Sequence, residues 1–355
     1  MTSVFEPIKV GNWDLPQRFV MAPLTRNRAG EAQVPGEFAA TYYGQRAGAG
    51  LIITEGTQPS ATGQGYLNTP GIHSPEQIDG WRAVADAVHA GNGYVVVQLM
   101  HVGRIAHPDN KAGLETVAPS AIPAPGEMVT ADGKVPHVLP RALETEEMSD
   151  IVAEFVHAAK SAIAAGLDGV ELHAANGYLL HQFLAPSSNT RTDSYGGSPA
   201  NRARLTLEVA QAVADAIGAD RVGIRISPSH NIQGVLEEDA ADVAATYQTL
   251  VDGIAPLGLA YLSILGDPAS ELVQDLRQRF GGPLIVNSGF SSITTLADVQ
   301  AILDADQADL VAVGREYIAN PDLAERWRTG AGLNEPDSST FYGGGAEGYT
   351  DYPTL

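Results

Sequence analysis

Eight short apolar runs recur along the chain, and most are followed by a stretch with a helical period. They cover residues 19–21, 51–54, 94–99, 169–173, 222–227, 261–264, 284–287 and 310–313. The runs are mostly continuous rather than alternating, which is how strands covered on both faces of a parallel sheet read. Between them lie amphipathic segments with start and stop signals. In "TEEMSDIVAEFVHAAKSAIAAG" Thr145 is placed to cap, Glu146 and Glu147 suit the positive end of the helix dipole, and Gly166 suits its end. Met148, Ile151, Val152, Phe155, Ala159 and Ile163 then make one apolar stripe. In "SPANRARLTLEVAQAVADAIG" Ser198 caps, Pro199 takes the first turn and Gly218 ends the helix. Two further helices are expected over residues 294–305 and 321–328.

Eight strand–helix repeats point to an α/β fold, a (β/α)8 TIM barrel preceded by an N-terminal strand-and-turn segment. A doubly wound sheet stays open, because strands alone do not show closure. The chain has 355 residues, more than the roughly 250 of a plain barrel. The surplus falls at about 106–141, after the third strand, where Pro, Gly and Ala abound without a helical period. This stretch reads as an inserted capping segment over the barrel's active face, within a single domain spanning 1–355.

Charge and composition exclude several classes. The formal net charge of −21 would repel nucleic acid and anionic membrane surfaces. No run of about 18 apolar residues is present to span a membrane, and "MTSVFEPIKV" lacks a secretory pattern, so a cytoplasmic location is expected. The absence of cysteine rules out disulfides, thiolate nucleophiles, iron–sulfur clusters and Cys-containing zinc sites. His173 and His181 have no spacing of a closed metal site, so no metal is expected. "GGGAEG" (343–348) matches G-x-G-x-x-G, but no strand precedes it and no helix follows, so it reads as a flexible C-terminal turn.

Chemistry in such a barrel gathers at the C-terminal ends of the strands. Those ends read "MAPLTR", "TEGTQ", "QLMHVGR", "ELHAANGY", "GIRISP", "VNSGF" and "VGREYIANP". Taken in order, they resemble the old yellow enzyme family, the FMN-dependent ene-reductases. The resemblance runs from "FEPIKVG" to "FYGGGAEGYTDYP", nearly the whole chain. It implies that FMN is bound by Pro23, Leu24, Thr25 and Gly56 along the ring, with Thr25 standing where a branch of the family has Cys. Gln98 and Arg225 match positions on the ring's pyrimidine side, where a fixed positive charge stabilises the reduced ring. An ion pair is the plain structural alternative for Arg225. Gly289, Phe290, Gly314 and Arg315 fall after strands seven and eight, where barrels often bind phosphate.

The same resemblance assigns His173 and Asn176 to the substrate's carbonyl oxygen and Tyr178 to proton delivery. Many relatives have His at the Asn176 position and Trp at Met100. A flexible thioether at Met100 should widen or soften the pocket wall. Tyr66 and Tyr342 match aromatic positions on the substrate side, and packing is the alternative for either. The implied activity is NAD(P)H oxidation, with NADPH or NADH as reductant, coupled to reduction of an activated alkene such as an enone, enal, maleimide or nitroalkene. Other flavin barrels fit less well: dienoyl-CoA reductases need a cysteine-held cluster, and dihydroorotate dehydrogenases use a different base. A reductase of nitro compounds or nitrate esters and a non-catalytic flavin-binding barrel are the remaining alternatives. Monomer and homodimer are both compatible with the resemblance.

Overall fold

The fold is taken from a computed structural model that describes residues 2–290 and 292–355. An antiparallel hairpin comes first, β1 (Ile8–Val10) and β2 (Trp13–Leu15). Its Val10, Trp13 and Leu15 pack with Val20, Leu51, Val96, Ile285 and Leu310, so the hairpin closes the barrel at the strands' N-terminal ends. Three strands follow: β3 (Phe19–Met21), β4 (Ile52–Thr57) and β5 (Val95–Leu99).

The segment after β5 contains a short pair, β6 (Val117–Ala118) with β9 (Arg141–Ala142), and between them an antiparallel hairpin, β7 (Glu127–Thr130) with β8 (Gly133–Pro136). Met128 and Thr130 are buried while Glu127 and Val129 face out, the period of a strand with one covered face. Met128 packs with Met100, Val102 and Ile105, and Tyr66 and Tyr178 lean on the same cluster.

The remaining strands are β10 (Gly169–Ala174), β11 (Val222–Ile226), β12 (Tyr261–Leu265), β13 (Leu284–Asn287) and β14 (Leu310–Val313). With β3, β4 and β5 they form a closed parallel barrel, ordered β10-β11-β12-β13-β14-β3-β4-β5. All eight expected strands are present and the doubly wound alternative falls. Closure sets neighbours by register: His173 lies beside Arg225, and Glu171 beside Gln98.

The helices follow their signals with three exceptions. Ser198 caps helix Pro199–Ile217 through the Asn201 amide. Thr145 does not cap. Glu144 and Glu147 form the reciprocal cap of a 3-10 turn, and the α-helix begins only at Met148; the Thr145 hydroxyl donates to Asp193 instead. The helix expected from 294 spans Leu296–Asp304, capped by Thr295, and the one expected from 321 spans Leu323–Thr329.

The C-terminal tail is pinned rather than flexible. Arg26 donates from Nε to the Phe341 carbonyl and from Nη2 to that of Gly348, both at 2.9 Å. Arg28 reaches the carbonyls of Thr340 and Gly345. The Arg26 guanidinium sits near the rings of Tyr42 and Tyr349. Arg26 directly follows Thr25 and Arg28 lies two positions further on, so this clasp sets Phe341 and Tyr342 against the strand-end residues they face. Among the described residues, no helix is long and apolar enough to cross a membrane.

Candidate active site

A cavity of about 350 Å3 opens at the C-terminal ends of the barrel strands. Every site residue expected from the sequence lines it except Tyr66. Pro23, Leu24 and Thr25 come from the segment after β3, Gly56 from β4, and Gln98 and Met100 from the end of β5. His173 comes from β10, Asn176 and Tyr178 from the turn after it, and Arg225 from β11. Gly289 and Phe290 follow β13, Gly314 and Arg315 follow β14, and Tyr342 comes from the clasped tail. Tyr66 lines an adjoining space of about 570 Å3 that shares Thr25, Tyr178 and Tyr342 with the first. The buried Met100 thioether depends on Gly56, where an added Cβ would lie 2.5 Å from its sulfur. That glycine is therefore first a space for Met100.

Polar groups inside the barrel form one layer. The buried Glu171 carboxylate accepts from Gln98 Nε2 at 2.7 Å and from the Tyr261 hydroxyl at 3.1 Å. Burial pushes the Glu171 carboxyl up, and the nearby Arg225 charge opposes it. Arg225 is 3 % exposed, yet its Nε and Nη1 have no partner among the described residues. Among the described residues no carboxylate lies within 4.0 Å of its guanidinium, so the contact ion pair considered from the sequence is not formed. A buried cation with two unused donors at a cavity wall is a strong attractor for an electron-rich acceptor.

His173 and Asn176 show the same incompleteness. Neither ring nitrogen of His173 has a protein partner among the described residues, and the side-chain amide of Asn176 has none. Burial, followed by the Arg225 charge, holds the His173 imidazole well below its usual range, so it is neutral. The Tyr178 hydroxyl lies 2.9 Å from that of Tyr66, and the His173 and Tyr178 ring centres are 5.1 Å apart. Gln233 joins the group, donating to the Asn176 carbonyl at 2.7 Å and lying 3.4 Å from the Tyr66 hydroxyl.

At the opposite wall, Gly289 has φ of 105°, backbone that favours glycine, and among the described residues no atom stands within 4 Å of where its Cβ would be. The amides of Gly314 and Arg315 have no protein acceptor among the described residues. Arg315 Nη2 donates to the Phe290 carbonyl at 2.6 Å, which holds the guanidinium across this corner. The Thr25 hydroxyl is likewise free of protein partners among the described residues. A cation with unused donors, a free hydroxyl and a glycine-bared corner fit a polar ring system with an anionic tail, which is what FMN presents.

Two contributors, Glu171 and Gln233, and one pairing, that of Tyr66, were not anticipated. Glu171 orients Gln98, Gln233 braces Asn176, and Tyr66 pairs with Tyr178 rather than merely lining the pocket. For Glu171 a signal existed: in a strand it shares a face with His173, and an acid in a fully buried strand needs partners. No group of three His, Asp or Glu side chains suited to a metal occurs among the described residues.

The profile of the NADH:flavin oxidoreductase / NADH oxidase family matches residues 3–334. The chain is 40 % identical over 362 residues to a probable flavin mononucleotide-dependent alkene reductase of Leishmania infantum, covering 99 % of this chain and 97 % of that one. It is 40 % identical over 368 residues to a chanoclavine-I aldehyde reductase of Penicillium roqueforti, covering 99 % and 96 %. Among solved structures, morphinone reductase in complex with tetrahydroNAD superposes with a TM-score of 0.94 at 46 % identity, over 100 % of this chain and 98 % of that one. An old yellow enzyme homologue from Zymomonas mobilis superposes with a TM-score of 0.94 at 39 % identity, over 100 % of both.

Proposed function

The chain belongs to the old yellow enzymes of the NADH:flavin oxidoreductase / NADH oxidase family and is an FMN-dependent alkene reductase drawing on NAD(P)H, and we propose that His173, Asn176 and Tyr178 carry its alkene chemistry. The residues suited to hold FMN are Pro23, Leu24, Thr25, Gly56, Gln98 and Arg225 along the ring, with Gly289, Phe290, Gly314 and Arg315 at the phosphate. FMN bound there supplies the hydride, which it receives from NAD(P)H and passes to the alkene β-carbon.

The protein's share is to bind and polarise the alkene and to deliver a proton. His173 and Asn176 donate to the activating oxygen, on which negative charge grows as the β-carbon gains hydride. Neutral His173 has one N–H to give, and the Asn176 amide has two. Tyr178 delivers its hydroxyl proton to the α-carbon. Tyr66 donates to the phenolate oxygen that results and so limits the cost of a buried charge. Met100 sets the pocket wall, and Tyr342 closes the outer side.

The single observation that carries this reading is the set of unsatisfied buried donors and acceptors on Arg225, His173 and Asn176, all lining one cavity beside the Tyr66–Tyr178 pair. Activated alkenes are the substrate class. The same reading makes residues 1–355 one FMN domain, acting in the cytoplasm as a monomer or homodimer without nucleic acid or membrane. The charge of −21 supports the absence of polyanionic partners. The test is anaerobic turnover of NADPH and 2-cyclohexenone by the purified protein, preceded by its visible spectrum. Bound flavin and enone-dependent NADPH oxidation are expected; a colourless protein that cannot be loaded with FMN, or a yellow one indifferent to enones, would overturn the reading.

A further inference from the structure

The turn carrying Asn176 and Tyr178 bends through left-handed backbone, with φ of 57° at Asn176 and 82° at Gly177. Each peptide group in it is tied to a different side chain. The Asn176 amide donates to Ser227 Oγ at 2.9 Å, and the Asn176 carbonyl accepts from Gln233 Nε2. The Gly177 carbonyl accepts from Gln182 Nε2 at 2.7 Å. The Gly177 amide donates to Nδ1 of His181 at 2.9 Å. His181 is fully buried on the short helix Leu179–Leu184 and touches neither cavity.

An Nδ1 that accepts must leave the ring proton on Nε2. Nε2 lies 3.3 Å from Glu237 Oε1, and the two groups attract electrostatically. Glu237 accepts from the Ser229 amide at 2.7 Å and from the Tyr247 hydroxyl at 2.9 Å. A carboxylate facing Nε2 favours the tautomer with hydrogen there, which keeps the Nδ1 lone pair on Gly177.

We propose that His181, with its tautomer held by Glu237, is a positioning residue for alkene reduction. It fixes the Asn176–Gly177 peptide, and through that peptide the relative placement of the Asn176 amide and the Tyr178 hydroxyl. The proposal rests on the roles given above to Asn176 and Tyr178. Removing the acceptor frees a buried N–H in the middle of the turn, and a displacement of about 1 Å at reacting groups costs on the order of 100-fold in rate. The step that uses both Asn176 and Tyr178 takes this loss.

Three variants of the FMN-loaded enzyme test it: His181→Leu, His181→Asn and His181→Gln. Asn shares the path from Cα through Cγ, so its Oδ1 reaches the Nδ1 position and still accepts from Gly177. Gln is one bond longer and places its amide near Nε2, facing Glu237. Stopped-flow separates flavin reduction by NADPH from reoxidation by 2-cyclohexenone. His181→Leu should slow reoxidation on the order of 100-fold with flavin reduction at the wild-type rate, His181→Asn should recover most of that loss, and His181→Gln should not. Equal slowing of both half-reactions, no slowing of either, or Gln restoring as well as Asn would overturn the proposal. If His181→Leu does not fold, the contrast between the two polar variants still decides. A wild-type protein that the enone does not reoxidise overturns the functional reading and this proposal together; a competent wild type beside an indifferent His181→Leu overturns the proposal alone.

Discussion

The hydroxyls of Tyr66 and Tyr178 lie 2.9 Å apart although 112 positions separate them in the chain. Burial raises the Tyr178 phenol, and the hydrogen bonds from Tyr66 and Gln233 oppose that rise. A group that must give up a proton inside a cavity is helped by a neighbour able to donate to the oxygen left behind. A hydrogen bond to a charged oxygen contributes roughly 1.5–3 kcal/mol. Tyr66→Phe should therefore slow flavin reoxidation by an enone on the order of 10- to 100-fold and leave reduction by NADPH alone. An unchanged reoxidation rate would reduce Tyr66 to a lining residue.

The same environment fixes a pH profile. Burial, with Arg225 nearby, keeps the His173 imidazole neutral well below its ordinary value of 6.5, and burial keeps the Tyr178 phenol protonated above its ordinary 10.0. Neither group changes charge near neutrality, so the reoxidation rate constant should be flat between about pH 7 and pH 9. An inflection inside that window would place a titrating group in the step.

In the proposed arrangement Arg315 and the glycines around it bear on the phosphate alone. A charge-assisted hydrogen bond to phosphate contributes roughly 1.5–3 kcal/mol. Arg315→Ala should weaken FMN binding on the order of 10- to 100-fold while leaving the affinity for riboflavin, which lacks the phosphate, at its wild-type value. Fluorescence titration of the apoprotein with both flavins makes the comparison. Equal losses for the two would move Arg315 away from the phosphate.

Glu55 gives a stability prediction. It is buried, accepts from the Arg26 amide at 3.2 Å and the Tyr43 hydroxyl at 3.4 Å, and burial lifts its carboxyl from 4.5 to about 7. Because the folded value lies above the unfolded one, the folded state holds this proton more tightly. The resulting stabilisation is fully present below about pH 4.5 and is lost as the pH rises to about 7. The loss is about 3 kcal/mol. Glu55→Gln cannot ionise, so its Tm relative to wild type should climb across that window and level off above it. A difference independent of pH would contradict the shift.

Much of the architecture was legible because strands buried on both faces read as continuous apolar runs. The extension of β4 through Glu55 to Thr57 was not, since its polar residues look like a strand end. The hairpin β7–β8 was hidden by its Pro and Gly-rich flanks, although Asp132-Gly133 is a turn signal. The cavity walls were readable from the rule that barrel strand ends carry the site. What escaped were pairings across long sequence separations: Tyr66 with Tyr178, Gln98 with Glu171, Gln233 with Asn176. Each depends on barrel closure or on a loop fold that no local pattern encodes. The clasp of Arg26 and Arg28 on the tail belongs with them.

The most direct test of the account is Tyr178→Phe, loaded with FMN, reduced anaerobically by NADPH and then mixed with 2-cyclohexenone while flavin absorbance is followed. The account predicts bleaching at the wild-type rate and a return of colour slowed by roughly 100- to 10,000-fold, the usual contribution of a placed acid. A return of colour as fast as in the wild type would contradict it.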